Sequence, residues 1–532
     1  MTGPSGAGTA AVAAPVGPTE RLSFVRLLIV LVLVGALGFG GVVWAQDALA
    51  GDEPVADSWS VPYVDVTATP TYQFQDPQSN PSKDVALAFV VADKGDECRP
   101  SWGTYYTLDE ASEELELDRR ITQLRAAGGD VMISFGGQAN QELAVACTDQ
   151  DDLEDAYREV IDRYDAEVID LDIEGDAITD TASVERRVKA IAAIQQERAE
   201  SGDDLDVWLT LPVAPSGLTQ SGQAIVEANI AGGVELLGVN VMTMNYDSGK
   251  PTQDMLSASK RAISATAGQV GDIYARYGTK LDEADRYAHI GATPMIGQND
   301  IDGEVFTLDD ANGLAQFAIE KGLGRVSIWS LNRDQACGST FNDVVVHSNT
   351  CSGVPQEPLA FSDVFSGLPG RSPVAGPVDA IVVPDRQTTV DEPATSPFPI
   401  WRATAQYPEG YKVVWRGNVY EAKWYNQGAD PSTTTTNPWD TPWALLGPVS
   451  PTDQPATVTT VAPDTYPTWN PDTLYQRGAR VDFGGLPYEA RWAVQGTAPS
   501  TQFPIGPDEP WSPLFTDPGA PTTPTPPTTT AR

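Results

Sequence analysis

Histidine, cysteine and basic residues are all scarce in this chain of 532 residues. The two histidines are His289 and His347, and with only four cysteines they leave little room for a zinc cluster. Lysine and arginine number 33 against 73 acidic residues, and the resulting net charge of −40 disfavours binding to nucleic acid. The sequence also lacks a glycine-rich phosphate loop. We therefore predict no metal, no cofactor and no nucleic-acid partner.

The N-terminal region carries a run of 19 residues without charge, Leu27–Ala45. It follows Arg21 and Arg26 and is long enough to span a bilayer, so the positive-inside rule places residues 1–20, expected to be disordered, in the cytoplasm. A signal peptide cleaved after Ala45 or Ala50 is the alternative, and the length of the run favours a membrane anchor. Both interpretations place residues 51–532 on the extracellular side.

The cysteines form an even set in a chain predicted to be exported, which indicates two disulfides. Three pairings of Cys98, Cys147, Cys337 and Cys351 are compatible with the sequence. We prefer the local pair Cys337–Cys351, which leaves Cys98–Cys147.

Residues 58–352 alternate short β-rich runs with helical patterns such as Leu117–Ala127 and Leu308–Lys321. Eight such βα units predict an α/β fold, a parallel (β/α)8 TIM barrel, with a doubly wound open sheet as the alternative. The eight predicted strands are Val61–Val66, Val85–Val91, Asp130–Ser134, Val168–Ile173, Val207–Pro212, Leu236–Met244, His289–Ala292 and Arg325–Trp329.

The remainder of the chain contains a repeat with an offset of 68 residues. Tyr420–Gly428 recurs as Tyr488–Gly496, and the flanking aromatic residues keep the same offset, which predicts two small all-β modules. Proline-rich linkers are expected to hold the modules apart from the barrel, although Leu359–Phe365 has the pattern of a segment that packs back on it. The predicted linker, first module, linker, second module and unpacked Pro/Thr tail are 353–397, 398–449, 450–464, 465–515 and 516–532.

The strongest chemical signal is the segment 168–174, which consists of the predicted strand Val168–Ile173 and Glu174 at its end. Strand alternation places Asp170, Asp172 and Glu174 on one face and three apolar residues on the other. Carboxyl groups crowded in a barrel interior raise one another's pKa, which keeps one protonated as a proton donor near neutral pH. An edge strand with a solvated acidic face is the alternative.

Four motifs in order make residues 58–352 resemble family-18 glycoside hydrolases, retaining chitinases with a TIM barrel. They are the acidic strand, Ser134–Gly137 as S-x-G-G, Met244–Asp247 as M-x-Y-D, and Trp329 on the eighth strand. Glu167 and Val168 depart from the Asp and Gly that open the family's acidic motif.

The resemblance implies a role for each matching residue. Glu174 would be the general acid, the substrate's 2-acetamido oxygen would be the nucleophile, and Asp172 would orient that amide. Asp170 would hold Asp172 and share its proton, and Tyr246 would bind the acetamido carbonyl. Trp329 would form the floor of the sugar site, which Met244 and Asp247 would also line.

The modules resemble the small chitin-binding type 3 modules of bacterial chitinases. In that comparison Trp424 and Tyr425 match the paired surface aromatics, whereas Trp492 is followed by Ala493, so we predict weaker binding by the second module. Tyr407 and Tyr475 are further binding candidates, and Trp443 and Trp511 are predicted to be core residues.

The sequence thus predicts an exported, monomeric chitinase that binds chitin or a related polymer of N-acetylglucosamine. A catalytically inactive chitin-binding lectin is one alternative, although Glu174 is present. A hydrolase of another N-acetylglucosamine glycan, such as peptidoglycan, is a second alternative.

Overall fold

A computed structural model describes residues 58–246, 254–338, 348–369, 390–433, 440–451, 453–458, 462, 465–506 and 508–521. The predicted disordered segment 1–20 and the apolar run Leu27–Ala45 lie outside these residues. Among the helices that the structure describes, none is both long and apolar enough to cross a bilayer.

The first part of the chain folds around eight parallel strands that close into a ring. β1 and β2 together act as the first strand, and β14, β11, β10, β8, β7, β6 and β3 complete the ring through parallel pairs. All eight predicted strands are present, and the α/β fold is confirmed. The strands of this part are β1 (Trp59–Ser60), β2 (Tyr63–Asp65), β3 (Val85–Ala92), β4 (Pro100–Trp102), β5 (Tyr106–Thr107), β6 (Val131–Gly136), β7 (Val168–Asp172), β8 (Asp206–Ala214), β9 (Gly217–Leu218), β10 (Leu236–Met242), β11 (Ile290–Thr293), β12 (Gly297–Gln298), β13 (Val305–Phe306) and β14 (Arg325–Val326).

The helices that surround the ring begin and end at local signals in the sequence. Thr307 and Asp310 form a capping box at the start of α9, and Asp180 caps α5, which ends before Gly202 in the left-handed conformation. The helices are α1 (Leu108–Glu114), α2 (Leu117–Ala126), α3 (Leu143–Ala146), α4 (Gln150–Tyr164), α5 (Thr181–Ser201), α6 (Gln220–Ala231), α7 (Met255–Arg276), α8 (Glu283–Ala288), α9 (Leu308–Lys321) and α10 (Ala360–Ser366), with 3₁₀ turns at Gly175–Ile178 and Leu331–Arg333.

Strand alternation divides the buried residues of this barrel into two layers. Ile169, Leu171 and Ile173 of the acidic segment belong to the large cluster between strands and helices. Val168, on the opposite face of β7, packs with Tyr63 and other residues in a smaller cluster inside the ring. Asp170 and Asp172 share the face of Val168, so both carboxyl groups point into the barrel.

Two disulfides and a terminal helix complete the barrel. The preferred pairing is confirmed, with Cys337 bonded to Cys351 and Cys98 bonded to Cys147. The predicted packing of Leu359–Phe365 is also confirmed, because α10 buries Phe361 and Phe365. Asp334 of the barrel accepts hydrogen bonds from two backbone amides at the start of this helix.

The two repeats form the same small antiparallel sheet. β16 and β17 of the first module correspond to β20 and β21 of the second with an offset of 68 residues. The indole nitrogens of Trp443 and Trp511 donate to backbone oxygens in the same register, at 2.9 and 2.8 Å, and both rings are buried as predicted. The strands are β15 (Gln406–Tyr407), β16 (Lys412–Trp415), β17 (Asn418–Ala422), β18 (Asn426–Gln427), β19 (Trp443–Pro448), β20 (Arg480–Phe483), β21 (Leu486–Ala490) and β22 (Trp511–Pro513).

The first module packs directly on the barrel, which corrects the expectation that linkers hold it apart. Arg119 of α2 makes two hydrogen bonds to Asp453, at 2.9 and 2.7 Å, and Lys412 of the module pairs with Glu116 at 3.0 Å. These four side chains are largely buried, so the predicted linker 450–464 is fixed at Asp453. The tail also departs from the prediction, since the carbonyl of Gly519 accepts a hydrogen bond from the backbone of Lys412.

Candidate active site

The centre of the site is Asp170, which is fully buried inside the barrel. Each of its carboxylate oxygens accepts two hydrogen bonds, so the acidic strand is tied to four other strands. Both oxygens are therefore occupied by donors, and among the described hydrogen bonds none joins Asp170 to Asp172. The sharing of a proton between the two carboxyl groups stays a prediction. The four donors are Tyr63 at 2.8 Å, Ser134 at 2.7 Å, Thr210 at 2.5 Å and Arg325 at 2.9 Å.

Asp172 and Glu174 lie next along the same face, and both resist ionisation. Burial raises the pKa of Asp172 well above its usual range, and the charges of Glu174 and Asp170 raise it further. Burial also raises the pKa of Glu174 to about 7, with a smaller contribution from Asp300. Oδ1 of Asp172 is buried and has no hydrogen-bond partner among the described residues. Near neutral pH a fraction of Glu174 thus keeps its proton, and Oδ1 of Asp172 next to it is able to accept a hydrogen bond from a ligand.

The S-x-G-G motif at the end of β6, the third strand of the ring, lets β6 approach β7 closely. Ser134 donates to Asp170, while Gly136 and Gly137 have φ angles of 102° and 80°. A Cβ on Gly136 would lie 2.1 Å from the backbone oxygen of Asp172, and one on Gly137 would meet the ring of Phe89 at 2.7 Å. Only glycine fits at these two positions.

An aromatic surface borders the carboxyl groups. The rings of Trp329 and Phe89 are stacked, with centroids 5.4 Å apart and planes at 17°, and Tyr63 packs on Trp329 at 6.0 Å. Trp329 is half-buried, so part of its side chain is accessible to solvent. This arrangement suits the apolar face of a sugar ring.

The segment that follows β10, the sixth strand of the ring, places the Tyr246 side chain away from the carboxyl groups. The hydroxyl of Tyr246 lies 3.2 Å from Oγ of Ser259 on α7, and its ring belongs to the cluster outside the barrel. No described hydrogen bond joins this hydroxyl to the carboxyl groups, and its contact with the acetamido carbonyl stays a prediction. Met244 is buried, and Asp247 lies outside the described residues. The side-chain amide of Asn245 donates a hydrogen bond to Asp300 at 2.8 Å. The charge of Asp300 in turn raises the pKa of Glu174.

Chitinases are among the known proteins that resemble this chain. No protein-family model matches the chain. The chain is 39% identical over 284 residues to the "Probable bifunctional chitinase/lysozyme" of Escherichia coli K12, covering 53% of this chain and 31% of that protein. It is 39% identical over 278 residues to "Endochitinase 11" of Metarhizium anisopliae, covering 51% and 52% respectively. The catalytic domain of a hyperthermophilic chitinase from Pyrococcus furiosus matches with a TM-score of 0.51 and 27% identity, covering 59% of this chain and 95% of that one.

Over about half of its length the chain is therefore similar to chitinases in sequence and in fold. The chain covers about half or less of the length of these two curated relatives.

Arg325 is a residue of the chitinase-like barrel that sequence reasoning missed. Its side chain is fully buried, bonds Asp170, and lies over the rings of Tyr63 and Trp208 at 5.3 and 5.5 Å. Alternation along β14 could have revealed it, because Arg325, Ser327 and Trp329 share one face. Tyr63 and Phe89 were missed because single aromatics on predicted strands carry no specific signal.

The aromatic residues of the two modules divide into exposed and buried groups. Trp424, Tyr425 and Trp492 are 38%, 60% and 45% exposed, which is compatible with their predicted role in binding. Tyr407 and Tyr475 are buried, and their hydroxyls accept backbone hydrogen bonds at 2.6 and 2.7 Å. Tyr407 and Tyr475 are therefore core residues and do not form a binding surface, because a small module needs its buried aromatic residues to form a core.

Proposed function

We propose that this protein hydrolyses β-1,4-linked polymers of N-acetylglucosamine outside the cytoplasm, with retention of configuration. The observation that carries the proposal is the pairing of Glu174, with a pKa raised to about 7, and the unpartnered oxygen of Asp172. The half-buried ring of Trp329 supplies an apolar floor beside them. The two disulfides support an oxidising compartment.

In the proposed reaction Glu174 gives its proton to the glycosidic oxygen as the bond to the anomeric carbon breaks. The substrate's own acetamido oxygen attacks that carbon and forms a cyclic oxazolinium ion. Oδ1 of Asp172 accepts a hydrogen bond from the amide N–H, and this hydrogen bond orients the nucleophile and stabilises the positive charge that develops on the amide. Water then attacks the anomeric carbon, Glu174 takes a proton from that water, and the ring opens to regenerate the acetamido group.

The network around Asp170 keeps these two groups in position. Four donors hold the Asp170 carboxylate, and the close approach at Gly136 fixes the backbone of Asp172. Preorganised polar groups of this kind stabilise developing charge without rearrangement during the reaction.

A panel of matched oligosaccharides tests the substrate class. We expect hydrolysis of chitohexaose and none of cellohexaose or fully deacetylated glucosamine oligomers, since only the first carries the acetamido nucleophile. Products are measured by mass spectrometry. Equal cleavage of the deacetylated oligomer would contradict substrate assistance, whereas binding of chitohexaose without hydrolysis would favour a lectin.

Peptidoglycan is a second candidate substrate, because the Escherichia coli relative is named as a chitinase/lysozyme. Peptidoglycan also carries acetamido groups and fits the same chemistry. The panel therefore includes purified peptidoglycan, and faster release of its fragments than of chitin fragments would favour this candidate.

We also propose that the exposed aromatics of both modules bind the insoluble polymer. Replacing Trp424 and Tyr425 by alanine is expected to weaken chitin binding more than replacing Trp492, because the second module has Ala493 in place of the second ring. Pull-down of the full chain with chitin beads measures both affinities. An equal or larger loss for Trp492→Ala would overturn the predicted order.

A further inference from the structure

A cleft of about 630 Å³ lies between the barrel and the first module. Tyr72 and Ser79, which follow β2, and Asn332, which follows Trp329, line the barrel side, while Lys423 and Trp424 line the module side. Its volume falls within the range of roughly 300–1,000 Å³ that is usual for ligand sites. Trp424 is the one residue with a role proposed above that lines this cleft, and the cleft itself has no assigned role.

Buried contacts next to the cleft hold its two walls together. The ion pairs from Arg119 to Asp453 and from Lys412 to Glu116 join α2 to the module and its following segment. Gly447 of β19 lies so close that a Cβ would be 2.6 Å from the backbone oxygen of Arg119. Because these charges are removed from water and paired, separating the walls would leave them unpaired.

One end of the cleft reaches the rim of the barrel mouth. Asn332 accepts a hydrogen bond from the backbone amide of Asp65 at 2.9 Å and donates to its carbonyl at 3.0 Å. Asp65 ends β2, and the carboxyl ends of parallel barrel strands all lie on the face that holds the active site. Asn332 is also three residues after Trp329. A polymer in the cleft can therefore continue to the aromatic floor of the site.

The lining of the cleft fits a neutral, hydroxyl-rich ligand. The carboxylates of Asp76 and Glu409 can accept hydrogen bonds from hydroxyl and amide groups, and the ring of Trp424 can stack on a sugar. We propose that the cleft binds a segment of the same N-acetylglucosamine chain that the barrel cleaves. The first module then extends the substrate site instead of serving as a distant tether. This inference rests on the proposed function.

The test compares long and short substrates on variants of the full chain. Ser79→Trp fills the cleft, and Trp424→Ala removes its exposed ring. For both variants we expect the ratio of kcat/KM for chitohexaose to kcat/KM for a fluorogenic chitobioside to fall about tenfold, or about 1.4 kcal/mol. Because both substrates are measured on the same preparation, the ratio does not depend on the fraction of folded protein. Ser201→Trp places the same ring at the exposed C-terminal end of α5, away from the mouth, and should keep the parental ratio.

The outcomes separate the cleft from the proposed function. If both Ser79→Trp and Trp424→Ala keep the parent's ratio of the two kcat/KM values, the cleft proposal is overturned, although the protein still hydrolyses the substrates. Absence of hydrolysis of both substrates by the parent would instead contradict the proposed function. Isothermal titration of chitohexaose into Glu174→Gln, with and without Ser79→Trp, then tests binding in the cleft separately from hydrolysis. Binding that is about tenfold weaker with Ser79→Trp supports the cleft proposal, and unchanged binding overturns it.

Discussion

Replacing Glu174 by glutamine is expected to lower kcat for chitohexaose by roughly 10²–10⁴-fold, the usual contribution of a positioned general acid. Glutamine has the same shape but no proton that it can transfer to the glycosidic oxygen. Release of reducing sugar measures the loss. Glu185→Gln is the matched control, because Glu185 is an exposed glutamate on α5, and this variant should retain the parental kcat.

The pH profile distinguishes a proton donor from a merely structural residue. Because the donor must be protonated, kcat/KM of the parent should fall as the pH rises through about 7, the value to which burial raises the pKa of Glu174. The residual activity of Glu174→Gln should lack this decline. A variant with parental kcat, or one that keeps the same alkaline decline, would show that another group supplies the proton.

Replacing Arg325 by methionine is expected to lower the free energy of unfolding of the barrel by about 3–5 kcal/mol, the usual cost of breaking a buried ion pair. Arg325 and Asp170 are both fully buried and 2.9 Å apart, so the variant leaves the Asp170 carboxylate without its counter-ion. Urea unfolding followed by tryptophan fluorescence measures the change.

The paired variant Arg325→Met with Asp170→Asn is the control for this effect. Because it removes both charges, its loss of stability should be smaller than the sum of the two single losses. Arg276→Met, which breaks an exposed pair with Glu227, should change stability little. Additive losses from Arg325→Met and Asp170→Asn would contradict the importance of the pair.

The barrel strands and the acidic face could be predicted because their pattern is local. In β7 every second residue faces the inside of the ring, and the backbone is still extended at Glu174, so spacing alone assigned the three carboxyl groups to one face. The same rule applied to β14 would have revealed Arg325. Closure of the ring could not be predicted from periodicity, since it depends on the pairing of β1 with β14 across most of the barrel.

Tyr246 shows where the local rule ends. β10 ends at Met242, and Asn245 has a φ of 49° in the left-handed region, so alternation no longer predicts which way the next side chain points. Its neighbour Tyr246 therefore faces Ser259 outside the barrel.

The docking of the first module on the barrel could not be predicted from the sequence for a different reason. Its ion pairs join residues 296 and 334 positions apart, Glu116 to Lys412 and Arg119 to Asp453. No local periodicity encodes contacts at such separations. Proline content indicated a linker but could not show that Asp453 within it binds the barrel.

The configuration of the first product tests the central claim most directly. Proton NMR during the early hydrolysis of chitohexaose distinguishes the β-anomer from the α-anomer before mutarotation mixes them. Attack by the acetamido oxygen, with Asp172 as its partner and Glu174 as the acid, predicts that the β-anomer appears first. Initial appearance of the α-anomer would mean direct attack by water and would contradict the mechanism.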